Sequence, residues 1–167
     1  MDILKDGHIE DQTRIGWRQG SYVRWPVSKK LDTWLIDNLG ADLFTRSSSG
    51  MHFIRGANKP HCDLRAWALN YVIVPGGEKV ETIFWQEQDQ PLVREPETYR
   101  NGTTSAKLDE VWRVQIEPHR WHLLNTNVIH SVEGVTNMQK PRQGISISVM
   151  SRKPLEHIQG YQGKLSK

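Results

Sequence analysis

The chain has 167 residues, 25% of them charged and 37% hydrophobic, enough for a single domain spanning residues 1–167 with a sizeable core. Its formal net charge of +3 gives no case for a nucleic-acid partner, and no apolar run approaches the about 20 residues of a membrane-spanning helix. The one cysteine, Cys62, rules out an internal disulfide, and Met1 to Asp6 lack the basic and apolar regions of a signal peptide, so a cytoplasmic location is expected.

Residues 1–27 are polar with isolated Trp17, Tyr22 and Trp25, and read as irregular structure or short edge strands. Ser28 can cap a short helix in which Leu31, Trp34, Leu35 and Leu39 fall at helical spacing, with Gly40 just past its end. The turn signal Ser47 to Gly50 precedes a strand-like Met51 to Ile54. An apolar strand is expected over 66–74 and another over Val80 to Trp85, separated by a turn at Pro75-Gly76-Gly77. Residues 86–110 form a long polar connection, a candidate lid over a site. Beyond it, Trp112, Val114 and Ile116 alternate with Arg113 and Gln115, and strands follow at 121–125, 128–132 and 145–149, the last two separated by a loop from Gly134 to Pro141. Short strands with one helix ahead of them indicate an all-β barrel or sandwich with N-terminal helical decoration, its core at about residues 28–152 between an N-terminal segment and a basic tail.

Chemistry concentrates in His61-Cys62-Asp63, the distant His130 and Arg142. Two histidines and one carboxylate on one side of a metal leave the other side open, as a non-haem Fe(II) that takes up O2 requires. The spacing alone is weak, because roughly one H-x-[DE] is expected by chance among so many charged residues. The chain supplies a control in His8-Ile9-Glu10, which lies in a polar stretch with no strand after it. His61-Cys62-Asp63 instead leads into a buried strand, where a rigid scaffold can hold ligands. Strand alternation turns Cys62 away from the metal. His52, His119 and His122 read as solvent-facing or structural, and Trp85 as core.

The pieces His61-Cys62-Asp63, Ala68-Leu69-Asn70, Thr82-Ile83-Phe84-Trp85, Leu123 to Val132 and Pro141-Arg142 with Ile145 to Ser148 occur in order over about residues 50 to 150. In that order the chain resembles the Fe(II)/2-oxoglutarate-dependent oxygenases, and most of all their small prolyl- or aspartyl-hydroxylase-like members from bacteria and phages. The resemblance implies a double-stranded β-helix (jelly-roll, cupin-like). It also implies Fe(II) bound by His61, Asp63 and His130, and the far carboxylate of 2-oxoglutarate held by Arg142, with Asn70 and Ser146 as further contacts. The activity implied is hydroxylation of an unactivated C–H of an amino-acid side chain, free or in a peptide, using O2 and releasing succinate and CO2. Asp63 favours hydroxylation, since related halogenases lack the carboxylate. One position departs from the family pattern: a serine two residues beyond the arginine is usual, and here stands Gly144. The alternative reading is a jelly-roll that binds a metal without catalysis, or an interaction module.

Overall fold

The computed structural model describes residues 18–19, 22–39, 49–63, 65–93, 107–136 and 139–149. In chain order these form β1 (Arg18–Gln19), β2 (Tyr22–Pro26), α1 (Lys29–Leu39), β3 (Ser49–Ile54), β4 (Asn58–His61), β5 (Trp67–Val74), β6 (Glu81–Glu87), β7 (Leu108–Val114), β8 (Trp121–Asn125), β9 (Ile129–Glu133) and β10 (Arg142–Val149). Ser28 does cap α1: the Leu31 N–H donates to its side-chain oxygen at 3.2 Å, and the Asp32 N–H to its carbonyl at 2.9 Å.

The strands form a sheet ordered β1-β2-β3-β10-β5-β8 and a second ordered β4-β9-β6-β7, with every pairing antiparallel. From β3 onward the chain alternates between the two sheets, except at the β6–β7 hairpin. That winding is the double-stranded β-helix, a jelly-roll. No helix among the described residues is long and apolar enough to cross a membrane.

Alternation along β5 and β10 sorts two chemistries onto the two faces of the larger sheet. The odd positions Leu69, Ile145, Ile147 and Val149 point outward and pack with Met51 against Leu31 and Leu35 of α1. Both of these leucines are fully buried, each contributing about 2 kcal/mol by leaving water. The even positions of β10 are Arg142, Gly144, Ser146 and Ser148, and their register partners on β5 include Ala68, Asn70 and Val72. This face turns toward the smaller sheet, where Arg142 donates to the Thr82 side-chain oxygen on β6. The space between the sheets is therefore polar at its centre. Ile54, Val80, Val132 and Val135 make a separate apolar cluster beside it.

Several sequence expectations shift here. Asp63 is not on a strand, since β4 ends at His61 and the chain then crosses to the other sheet before β5 begins. The strand placed at 111–116 runs instead from Leu108 to Val114. It is the edge of its sheet and exposed along most of its length, with Trp112 at 59%. A register shift between Phe84 and Trp85 leaves both Val111 and Trp112 in solvent, where simple alternation would have hidden one of them. The last strand starts at Arg142, three residues earlier than its apolar stretch suggested. The polar connection narrows to the residues between Glu87 and Leu108, and 94–106 of the candidate lid lie outside the described residues. His8-Ile9-Glu10 and the basic tail also lie outside them.

Candidate metal centre

His61 and His130 come from adjacent strands. They are register partners across β4 and β9, and their rings lie 4.5 Å apart, centroid to centroid. Asp63 returns to the same place from the crossover after β4. One donor atom from each of the three residues lies within 4.8 Å of the others, and His61 Nε2 is 3.6 Å from Asp63 Oδ1. Donors around one first-row ion at about 2.1 Å stand roughly 3 Å apart, so small side-chain rotations suffice to close the set.

Hydrogen bonds fix which atoms those donors are. His61 Nδ1 lies 2.7 Å from the Lys59 carbonyl, and His130 Nδ1 lies 3.0 Å from the Val128 carbonyl. A carbonyl only accepts, so each Nδ1 carries the proton and donates it to a backbone carbonyl two residues back along the chain. In the neutral ring this turns the Nε2 lone pair toward the shared space. Asp63 Oδ2 accepts from Arg65 Nε at 2.8 Å, which leaves Oδ1 for the same space. Two imidazoles that present Nε2 and one carboxylate form a donor set suited to a divalent first-row ion.

The segment bearing Asp63 is tied to the turn that leads into β9. The Asp63 N–H donates to the Thr126 carbonyl at 3.2 Å, the Thr126 N–H to the Ala66 carbonyl at 3.0 Å, and the Thr126 hydroxyl to the Arg65 carbonyl. Cys62 is buried and points the other way, its thiol donating to the Asn127 carbonyl at 3.6 Å. Asn125 folds the turn by accepting the Asn127 N–H at 3.1 Å. These bonds let a loop residue and a strand residue, 67 positions apart in the chain, share one geometry.

The charges favour ligation. Burial pushes the Asp63 carboxyl up, but Arg65, His130 and His61 outweigh it and hold the group below the usual carboxylate range. Burial, helped by His61, pulls His130 down to about 4, against Asp63 and the Val128 bond. His52 is pulled down to about 3 by burial and then by Arg142, Arg65 and Arg24.

A histidine whose folded pKa lies below its unfolded value of about 6.5 takes up a proton on unfolding. Its contribution to stability is complete above about pH 6.5 and is lost as pH falls toward the folded value. Chelator-treated protein should therefore lose about 1.4 kcal/mol per pH unit for each such histidine between about pH 6.5 and 4. Urea denaturation at pH 7.5 and 5.0 reads this loss. Replacing His52 with Phe should roughly halve it, and an unchanged slope would refute the buried neutral state.

The interior beyond the triad is cationic. Arg142 is 6% exposed, and burial pulls its guanidinium down to about 10. Its Nη1 donates to the Thr82 hydroxyl at 3.1 Å, while its Nε has no hydrogen-bond partner among the described residues. The start of its strand is fixed by Gly76, where a Cβ would lie 2.7 Å from the Arg142 nitrogen and φ is +90°. Asn70, the register partner of Ser146, has a buried Oδ1 that likewise lacks a partner among the described residues.

Ser146, implied by the resemblance as a co-substrate contact, faces the interior with its hydroxyl engaged by Arg65. Arg65 Nη2 donates to Ser146 at 2.8 Å and Nη1 to Ser148 at 3.1 Å. Sequence reasoning missed Arg65, Thr82, Thr126 and the interior position of His52. The i, i+2 spacing of Asp63 and Arg65 was a readable signal for the first, and nothing local marks the others. His52 is not solvent-facing but buried, at 7% exposure. Of the other two, His119 is exposed, its backbone N–H donating to the Val72 carbonyl, and the His122 ring meets the Glu117 carbonyl at 2.8 Å. Trp85 is half-buried and turns away from the triad, donating to Ser131 at 2.9 Å, while its neighbour Phe84 is the register partner of His130 and stacks on Trp112.

No family model matches the chain, and no curated protein does. Among solved structures the chain is similar to hydroquinone 1,2-dioxygenase from Sphingomonas sp. TTNP3 with 4-hydroxybenzoate bound, at 8% identity and a TM-score of 0.42. That likeness covers 62% of this chain and 60% of the other, less than two thirds of the dioxygenase. KdgF from Halomonas sp. is similar at 11% identity and a TM-score of 0.40, over 88% of this chain and 96% of that one. A cupin superfamily protein from Desulfitobacterium hafniense DCB-2 is similar at 9% identity and 0.37, over 87% and 98%. At these scores the likenesses carry no functional argument, and the jelly-roll rests on the strand order itself.

Proposed function

We propose that this chain is an Fe(II)- and 2-oxoglutarate-dependent dioxygenase that hydroxylates an unactivated C–H of an amino-acid side chain, free or in a peptide. The observation that carries the reading is the triad of His61, Asp63 and His130 beside an interior in which Arg142 is buried, its Nε without a hydrogen-bond partner among the described residues. Buried charges are costly unless paired, so a ligand carrying a carboxylate is the natural complement of Arg142. Bound by the triad, Fe(II) supplies the oxidative chemistry that turns 2-oxoglutarate and O2 into succinate, CO2 and a hydroxylated product.

The chain's own residues do the positioning. Lys59 and Val128 hold the two imidazoles in the tautomer that presents Nε2. Arg65 holds Asp63 ionised and in place, and spans to Ser146 and Ser148 on the opposite sheet. Arg142 and Thr82 orient a carboxylate deep between the sheets, and Asn70 lies along its path.

The test is anaerobic titration of the protein with Fe(II) and 2-oxoglutarate. The expected result is the visible charge-transfer band of the chelate, followed in air by succinate release that quickens with the right peptide or amino acid. A protein that binds Fe(II) yet gives neither band nor succinate is the non-catalytic metal-binding module instead.

A further inference from the structure

Gly144 occupies the interior face of β10 between Arg142 and Ser146. The pairing of β10 with β5 slips between Gln143 and Gly144 and brings the Tyr71 carbonyl onto the glycine. A Cβ at 144 would lie 2.7 Å from the Tyr71 oxygen and 3.0 Å from both Cε1 and Nε2 of His52. No side chain fits there, so β10 offers no hydrogen-bonding group two residues beyond Arg142.

The neighbouring strand fills that place. His52 is the register partner of Gly144 on β3, and the Cε1–Nε2 edge of its ring lies over the glycine. The ring is buried, and the charged groups acting on it are Arg142, Arg65 and Arg24, with Asp63 the one acid. Burial and that cationic company keep it neutral, a ring with one N–H, one acceptor nitrogen and no positive charge to repel the arginines. A neutral donor beside a buried guanidinium complements a carboxylate, since the arginine supplies charge and the imidazole supplies direction.

We propose that His52 is a binding residue for the far carboxylate of 2-oxoglutarate, taking from β3, across Gly144, the place that β10 cannot fill. The inference rests on the 2-oxoglutarate reading of the site. It makes the ligand a short dicarboxylate whose far end lies between β3 and β10, against Arg142 and His52 together.

The experiment is calorimetry on the full chain loaded with Mn(II), titrated with 2-oxoglutarate and, separately, with pyruvate, which has the 2-oxo acid end but no far carboxylate. His52→Phe fills the space without an N–H, and His52→Gln keeps a donor. His52→Phe should weaken 2-oxoglutarate binding by about 10- to 100-fold, the value of one hydrogen bond to a charged group, and leave pyruvate unchanged. His52→Gln should recover most of the loss. Should His52→Phe fail to fold, His52→Met carries the same comparison. Wild type binding 2-oxoglutarate no better than the Phe or Met variant overturns the role of His52 and leaves the site's reading standing. Equal loss of both acids assigns His52 to packing alone and overturns the inference too. Wild type that takes neither acid overturns the 2-oxoglutarate reading itself.

Discussion

Alanine at His61 or His130 is expected to weaken divalent-metal binding by more than about 100-fold and to abolish succinate formation. Loss of a group that merely orients a ligand costs 10- to 100-fold, and loss of the ligand itself should exceed that. Both side chains are only partly buried, so the fold should survive. His130→Ala should also soften the acid sensitivity of the chelator-treated protein, because a histidine held neutral at about 4 no longer takes up a proton on unfolding. Asp63→Ala should do more damage than removing a ligand, since it also takes from Arg65 the carboxylate that accepts its Nε at 2.8 Å. Mn(II) titration with a thermal melt on each variant separates ligand loss from unfolding. His130→Ala binding Mn(II) as tightly as wild type would remove it from the site.

Replacing Arg142 with Met is expected to move stability and function in opposite directions. The guanidinium is buried, burial alone depresses it, and its Nε has no partner among the described residues. Exchanging a poorly compensated buried charge for an apolar side chain of similar length often stabilises by 1–4 kcal/mol. The Thr82 hydroxyl loses its donor, which offsets about 1 kcal/mol of that gain. The net gain of about 0–3 kcal/mol should raise the melting temperature by roughly 2–4 °C for each kcal/mol gained. The same variant should lose 2-oxoglutarate binding while keeping its metal affinity. Such a trade marks a residue retained for its ligand rather than for the fold. A destabilised variant that still binds 2-oxoglutarate would make Arg142 a structural residue.

Much of the architecture was legible from local pattern. Ser28 and the spacing of Leu31 and Leu35 place α1 and its buried stripe, and Trp121–Asn125 falls where its sequence indicated. Element edges were less legible where a strand lies at the rim of a sheet. β7 is paired on one side only, so Trp112 stays exposed despite the alternating pattern around it. Arg142–Gln143–Gly144 reads as loop because it is polar and carries glycine, yet it pairs with β3 and β5 on both sides. Pairing of that kind depends on residues far away in the chain.

The triad was legible because His61-Cys62-Asp63 and His130 carry their chemistry in residue type. What determines their use was not. The tautomers of both histidines depend on carbonyls that any residue could supply. The position of Asp63 depends on backbone bonds to Thr126, and Ser146 turns to Arg65 because the two sheets face each other across the interior.

Sequence by itself determined the donor types, the strand periodicity and the helix with its cap, because these follow from side-chain chemistry and short-range sterics. Tertiary structure alone decided the neighbours. It set Arg142 against Thr82, laid the His52 ring over Gly144, and left a buried arginine without a counter-charge among the described residues. Register between distant strands carries no signature in any one of them, and electrostatic balance is a property of the enclosed space rather than of a motif.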